Sequence, residues 1–114
     1  MVGAMSAKEQ PSALSPQDEM ADVRRVIDAL DDEIVALFAK RQRQIERAAR
    51  VKPMIEMPAR VPERVDEVLA RVVDAARRAG MSAELAESLW TTAIEWSIRY
   101  EERLMGEKEP GKKG

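Results

Sequence analysis

Apolar positions recur every three or four residues from Val23: Val23, Ile27, Leu30, Ile34 and Leu37. That spacing follows the 3.6-residue period and predicts one apolar face of a helix. The stripe then continues through Arg41, Ile45, Ala48 and Lys52. A guanidinium and later an ammonium therefore stand where the pattern calls for Leu or Ile. Cations on an apolar stripe are costly unless something anionic binds there. On a straight helix Arg41 and Lys52 differ by about 20° in azimuth and ~16 Å along the axis. Two long side chains at that separation can close on a small dianion. Arg24 is a third candidate, ~25 Å from Arg41 and roughly 100° round the helix. It can serve such a ligand only in a site built largely by another copy of the chain.

Ser15, Pro16, Asp18 and Glu19 predict the start of this helix: an N-cap, a proline at the first helical position and acids in the first turn. No Pro or Gly intervenes before Pro53, which biases Lys52 away from helical geometry and ends the run. A helix of about 37 residues is ~55 Å long, more than a small domain can bury alone, so it needs a partner helix. A connector from Met54 to Val61 carries Pro58. Pro62 opens a second helix ending at Ala79, with Gly80 as its stop signal and Val65, Val68, Leu69, Val72 and Ala76 as apolar positions. Ser82 caps a third helix running to about Met105, whose expected core face includes Leu85, Leu89, Ala93, Trp96 and Tyr100. No strand pattern and no repeat is present. The reading is all-α, three helices with a very long first one, in a single domain spanning 15–105. Residues 1–14 and 106–114 are expected to be disordered tails.

Composition narrows the chemistry. The chain has 114 residues, 35% of them charged, with a formal net charge of -2 and a pI of about 5.3. This is not the basic field that nucleic-acid binding needs. No apolar run approaches the ~18 residues of a membrane span, and no signal peptide is visible, so the expected location is cytoplasmic, with no membrane partner. There is no cysteine and no histidine. Thiolate nucleophiles, ordinary zinc sites and the commonest general base are thus missing, and no metal or cofactor is expected. Such a chain suits a reaction driven by electrostatic stabilisation and restraint rather than covalent catalysis.

Three more positions bear on the site. Arg64 lies in the first turn of the second helix, where the dipole disfavours a cation. It either pairs with Glu63, Glu67 or a neighbouring helix, or adds a cation to an anion pocket above Lys52. In the third helix Trp90, Ile94, Ser97 and Glu101 share one stripe, so a carboxyl extends an apolar line. Glu101 and Glu102 could equally form a solvated acidic turn. Arg24 could pair with Asp28 at i,i+4, and Arg41 could be one more solvated charge in Lys40-Arg41-Gln42-Arg43.

The set resembles the all-helical AroQ class of chorismate mutases over about Asp22 to Met105. The resemblance rests on Arg24 followed by Ile27, Leu30 and Asp31, on Arg41, on Lys52 before the connector, on Pro62-Glu63-Arg64, and on Ser97 and Glu101 in the third helix. It implies an intertwined six-helix homodimer with two equivalent sites, each receiving Arg24 from the partner chain. It further implies that Arg24 and Arg41 bind the two carboxylates of a small-molecule substrate, chorismate, with Arg64 assisting. Lys52 would donate to the ether oxygen as its bond breaks, with Ser97 and Glu101 completing the pocket. The implied reaction is a pericyclic rearrangement to prephenate.

Two positions depart from the usual bacterial pattern, Glu101 in place of Gln and Val65 in place of Glu. The Pro-Glu-Arg-Val run and Trp96 look more like the isochorismate-pyruvate lyases of the same family. The mutase reading is preferred because the lyases generally retain Gln where this chain has Glu101. A lyase, a mutase of an aminated chorismate analogue, and a helical dimerisation module without activity are the alternatives.

Overall fold

The computed structural model describes residues 14–107. Apart from Leu14, Gly106 and Glu107, the expected tails lie outside the described residues. Helix α1 spans Pro16–Val51, α2 Pro62–Ala79 and α3 Ala83–Met105. No strand occurs among the described residues.

Local chemistry sets the helix ends. Ser15 Oγ accepts from the Asp18 amide at 3.0 Å, and its carbonyl accepts from Glu19 at 2.9 Å. Ser82 Oγ accepts from the Leu85 amide at 3.1 Å. Gly80 and Gly106 close α2 and α3 at φ 80° and 79°, a left-handed geometry that a side chain resists. The α1 boundary differs from expectation. Past Val51 the chain tightens into a 3₁₀ turn, Lys52–Ile55, before the irregular connector begins. Proline is accommodated at the first positions of such a turn because its missing N–H has no helical partner there.

The chain divides into two units, residues 1–40 and 41–114. In the first, the described part is the amino-terminal stretch of α1. Its apolar stripe is uncovered in the single chain: Val23, Ile27, Leu30, Ile34 and Leu37 are 39–63% exposed.

The second unit holds the core. Ala59, Ile94 and Ile98 are buried, with Val65, Val68, Leu69, Trp90 and Met105 packed against them. Here the expected core face of α3 needs correction. Leu85, Leu89 and Trp96 are about half exposed, whereas Ala86, Ile94, Ser97, Ile98, Glu101 and Glu102 are buried. Helix α3 carries two apolar stripes of the same period, and the one that meets Val65, Val68 and Leu69 of α2 is the Trp90-Ile94-Ile98 side.

Candidate active site

All the groups described next belong to the second unit. Three helices and the connector enclose a cavity of about 250 Å³. That is below the usual range for drug-sized ligands and suits a compact one. The last turns of α1 supply Arg41, Ile45, Ala48 and, just beyond them, Lys52. The connector supplies Ala59 and Val61, α2 supplies Arg64, Val65 and Val68, and α3 supplies Ile94, Ser97, Ile98 and Glu101. Five of the six residues singled out from the sequence thus line one cavity: Arg41, Lys52, Arg64, Ser97 and Glu101.

The polar groups are interlocked. Lys52 Nζ donates to Glu101 Oε1 at 2.7 Å and to the Ala59 carbonyl at 2.7 Å. Both side chains of that ion pair are withdrawn from water, at 17% and 6% exposure. An ammonium has three hydrogens, so two are committed and one is left for a ligand. Arg41 Nη1 donates to Ser97 Oγ at 3.1 Å, and the Ser97 hydroxyl in turn donates to the Ala93 carbonyl at 2.8 Å. This chain fixes the serine oxygen as acceptor and aims the guanidinium.

Burial holds the Arg41 guanidinium below its ordinary value, and the nearby Arg64 charge pushes the same way while Glu101 opposes. Arginine remains charged at any physiological pH. The burial cost of that charge is one that an anion bound beside it would offset. Arg64 combines both of its sequence readings: it lines the cavity and donates to Glu67 Oε1 at 2.8 Å, with both side chains largely exposed. Glu101 and Glu102 do not form a solvated turn, since each is 4% exposed.

Arg24 lies in the first unit, exposed on α1. It makes no hydrogen bond or ion pair with another described residue, Asp28 included; the neighbouring Arg25 pairs with Asp22 instead. Much of the cavity wall is apolar, with Val61, Val65, Val68, Ile94 and Ile98 among its lining residues. Among the described residues no cluster of His, Cys, Asp or Glu could hold a metal ion, and no helix is long and apolar enough to cross a membrane.

Sequence reasoning missed the Ala59 carbonyl, because a backbone acceptor leaves no mark on residue identity. Ile45 and Ala48 were visible as members of the stripe, though their place against a ligand was not.

The cavity thus combines three cations with a largely hydrocarbon lining. A model of the family described as chorismate mutase type II matches residues 23–102. The T-protein of Haemophilus influenzae is 36% identical over 76 residues, covering 67% of this chain and 20% of the T-protein. The chain therefore spans about a fifth of that relative's length. The isochorismate pyruvate lyase of Pseudomonas aeruginosa is 33% identical over 86 residues, covering 74% of this chain and 84% of the lyase. Because the family match runs across the cavity and all three helices that build it, the chain belongs to the chorismate mutase type II family.

Proposed function

We propose that the cavity converts chorismate to prephenate, with Arg41, Lys52 and Arg64 binding the substrate and Arg24 of the partner subunit completing the site. The observation that carries this reading is the convergence of three cations, Ser97 and Glu101 on one small cavity backed by hydrocarbon. A dicarboxylate with an apolar ring is complementary to such a cavity, carboxylates toward the guanidinia and ring against the valines and isoleucines.

The reaction is a [3,3] shift: the ether C–O bond breaks as a new C–C bond forms, with no proton taken and no nucleophile added. Negative charge builds on the ether oxygen. Lys52 has one hydrogen beyond those given to Ala59 and Glu101, and that hydrogen would meet the developing charge. Arg41, aimed by Ser97, holds the enolpyruvyl carboxylate so that the reacting carbons stay in register. A pericyclic step needs that restraint more than it needs acid or base.

The homodimer belongs to the same proposal. A stripe of five large apolar residues left 39–63% exposed on α1 is complementary to a second copy of itself, and burial there brings a partner's Arg24 into play.

A second reading is favoured by the similarity to the lyase along 84% of that protein's length, and by the valine at position 65. Elimination of pyruvate from isochorismate would use the same cations. Purified protein assayed side by side on chorismate and isochorismate decides between them. Prephenate formation is expected; pyruvate and salicylate from isochorismate alone would assign the lyase, and no turnover of either would leave the aminated analogue and the dimerisation module.

A further inference from the structure

The carboxylate of Glu107, beyond the end of α3, has no role in the machinery described so far. Its place is unfavourable on local grounds. It follows the Gly106 cap at the negative end of the α3 dipole, within a few residues of the buried Glu101 and Glu102. Glu102 Oε1 is itself buried without a hydrogen-bond partner among the described residues. Helix stability does not account for another carboxylate there.

Glu107 is nonetheless held in a definite position. Its amide donates to the Glu102 carbonyl at 2.8 Å, and the Gly106 amide donates to Arg103 at 3.3 Å. This capping pattern sets the direction in which the chain leaves α3. From it Glu107 Oε2 accepts from the Ala59 amide at 3.2 Å. Ala59 is 2% exposed, in a connector where it has no helical ladder to satisfy that amide. The same residue's carbonyl accepts from Lys52 Nζ.

From this relay we infer that Glu107 is a positioning residue for Lys52, acting through Ala59: the α3 cap aims a carboxylate that pins the connector, and the pinned connector presents its carbonyl to the ammonium. Arg60, the next residue, is anchored to Glu95 of α3 by two bonds of 3.1 and 2.7 Å. That fork fixes the connector's far side but leaves the Ala59 backbone to Glu107. The inference rests on the proposed role of Lys52 at the ether oxygen.

The test compares full-length wild type with Glu107→Gln, Glu107→Asp and Glu107→Ala. Loss of one positioned hydrogen bond that acts on the transition state corresponds to about a tenfold fall in kcat for Glu107→Ala, with KM within about twofold of wild type. Glu107→Gln retains an acceptor oxygen and should stay close to wild type. Glu107→Asp, one methylene shorter, should fall between and keeps the test open if the alanine variant does not fold.

An effect on KM alone, or a Glu107→Gln protein as impaired as Glu107→Ala, overturns the relay. NMR of the Ala59 amide and the Lys52 ammonium gives a readout independent of turnover. Both signals should shift in Glu107→Ala and hold in Glu107→Gln; an unmoved Lys52 signal also overturns the relay. Should wild type turn over neither substrate, the functional reading fails while these signals still decide whether Glu107 orders Lys52.

Discussion

Replacing Lys52 with Met, which keeps the stem and removes the charge, should reveal how tightly the site is wired into the fold. In the wild type the Lys52 ammonium satisfies Glu101 Oε1 and the Ala59 carbonyl, each at 2.7 Å, and Glu101 is 4% exposed. Deleting one partner of a buried ion pair leaves the other charged and poorly solvated, which costs about 3–5 kcal/mol in the general case. Lys52 keeps 17% side-chain exposure, so water can reach the site and the lower end applies. The expected loss is about 3 kcal/mol, a large part of the ~5–15 kcal/mol that stabilises an ordinary domain.

Two companions sharpen the test. Glu101→Gln should cost less than Lys52→Met, since the amide oxygen still accepts from Lys52. The double variant Lys52→Met with Glu101→Leu should recover most of the loss, because a hydrophobic pair needs no compensation. Urea unfolding at one fixed protein concentration reads all four proteins, the concentration held because a partner chain would contribute to the midpoint. A Lys52→Met protein as stable as wild type, or a double variant no better than the single, would refute the claim that this pair is structurally coupled.

Sharing of the site between subunits predicts that co-refolding an inactive Arg24→Ala chain with an inactive Lys52→Ala chain restores activity, since one site of such a heterodimer holds both native residues; mixed dimers that stay dead would remove Arg24 from the mechanism. Glu101→Gln keeps an acceptor oxygen for Lys52 and adds an N–H donor to the cavity, so turnover should persist. A Glu101→Gln protein without turnover would show that Lys52 needs the carboxylate's charge and not only an acceptor oxygen. Away from the site, the hydrogen bond from Arg60 holds the Glu95 carboxyl below its usual range. A folded value below the unfolded one contributes stability above the unfolded value and loses it as the pH drops through the folded value. Glu95→Gln should therefore lower stability at neutral pH by under about 1 kcal/mol, the pair being well exposed, and the gap in melting temperature should close in acid.

The sequence by itself determined the helices and most of the residues around the cavity. Ser15, Pro16, Pro62, Gly80 and Ser82 act within four residues of themselves, so their effects on helix ends are legible without a fold. Arg41 and Lys52 stood out because a charge on an apolar stripe violates a periodic rule, and a violation is visible in one dimension. Tertiary structure alone decided what depends on which surfaces meet. Helix α3 carries apolar residues on two stripes, and only docking on α2 buries the Ile94-Ile98 side while Leu85, Leu89 and Trp96 remain outside. That choice takes Glu101 out of water and brings it to Lys52, turning a sequence that also read as a solvated acidic turn into half of a buried ion pair. The Ala59 carbonyl and the Glu107 carboxylate entered the same way. A backbone group has no identity in sequence, and Lys52 and Glu107 reach Ala59 from 7 and 48 residues away only once the chain has folded.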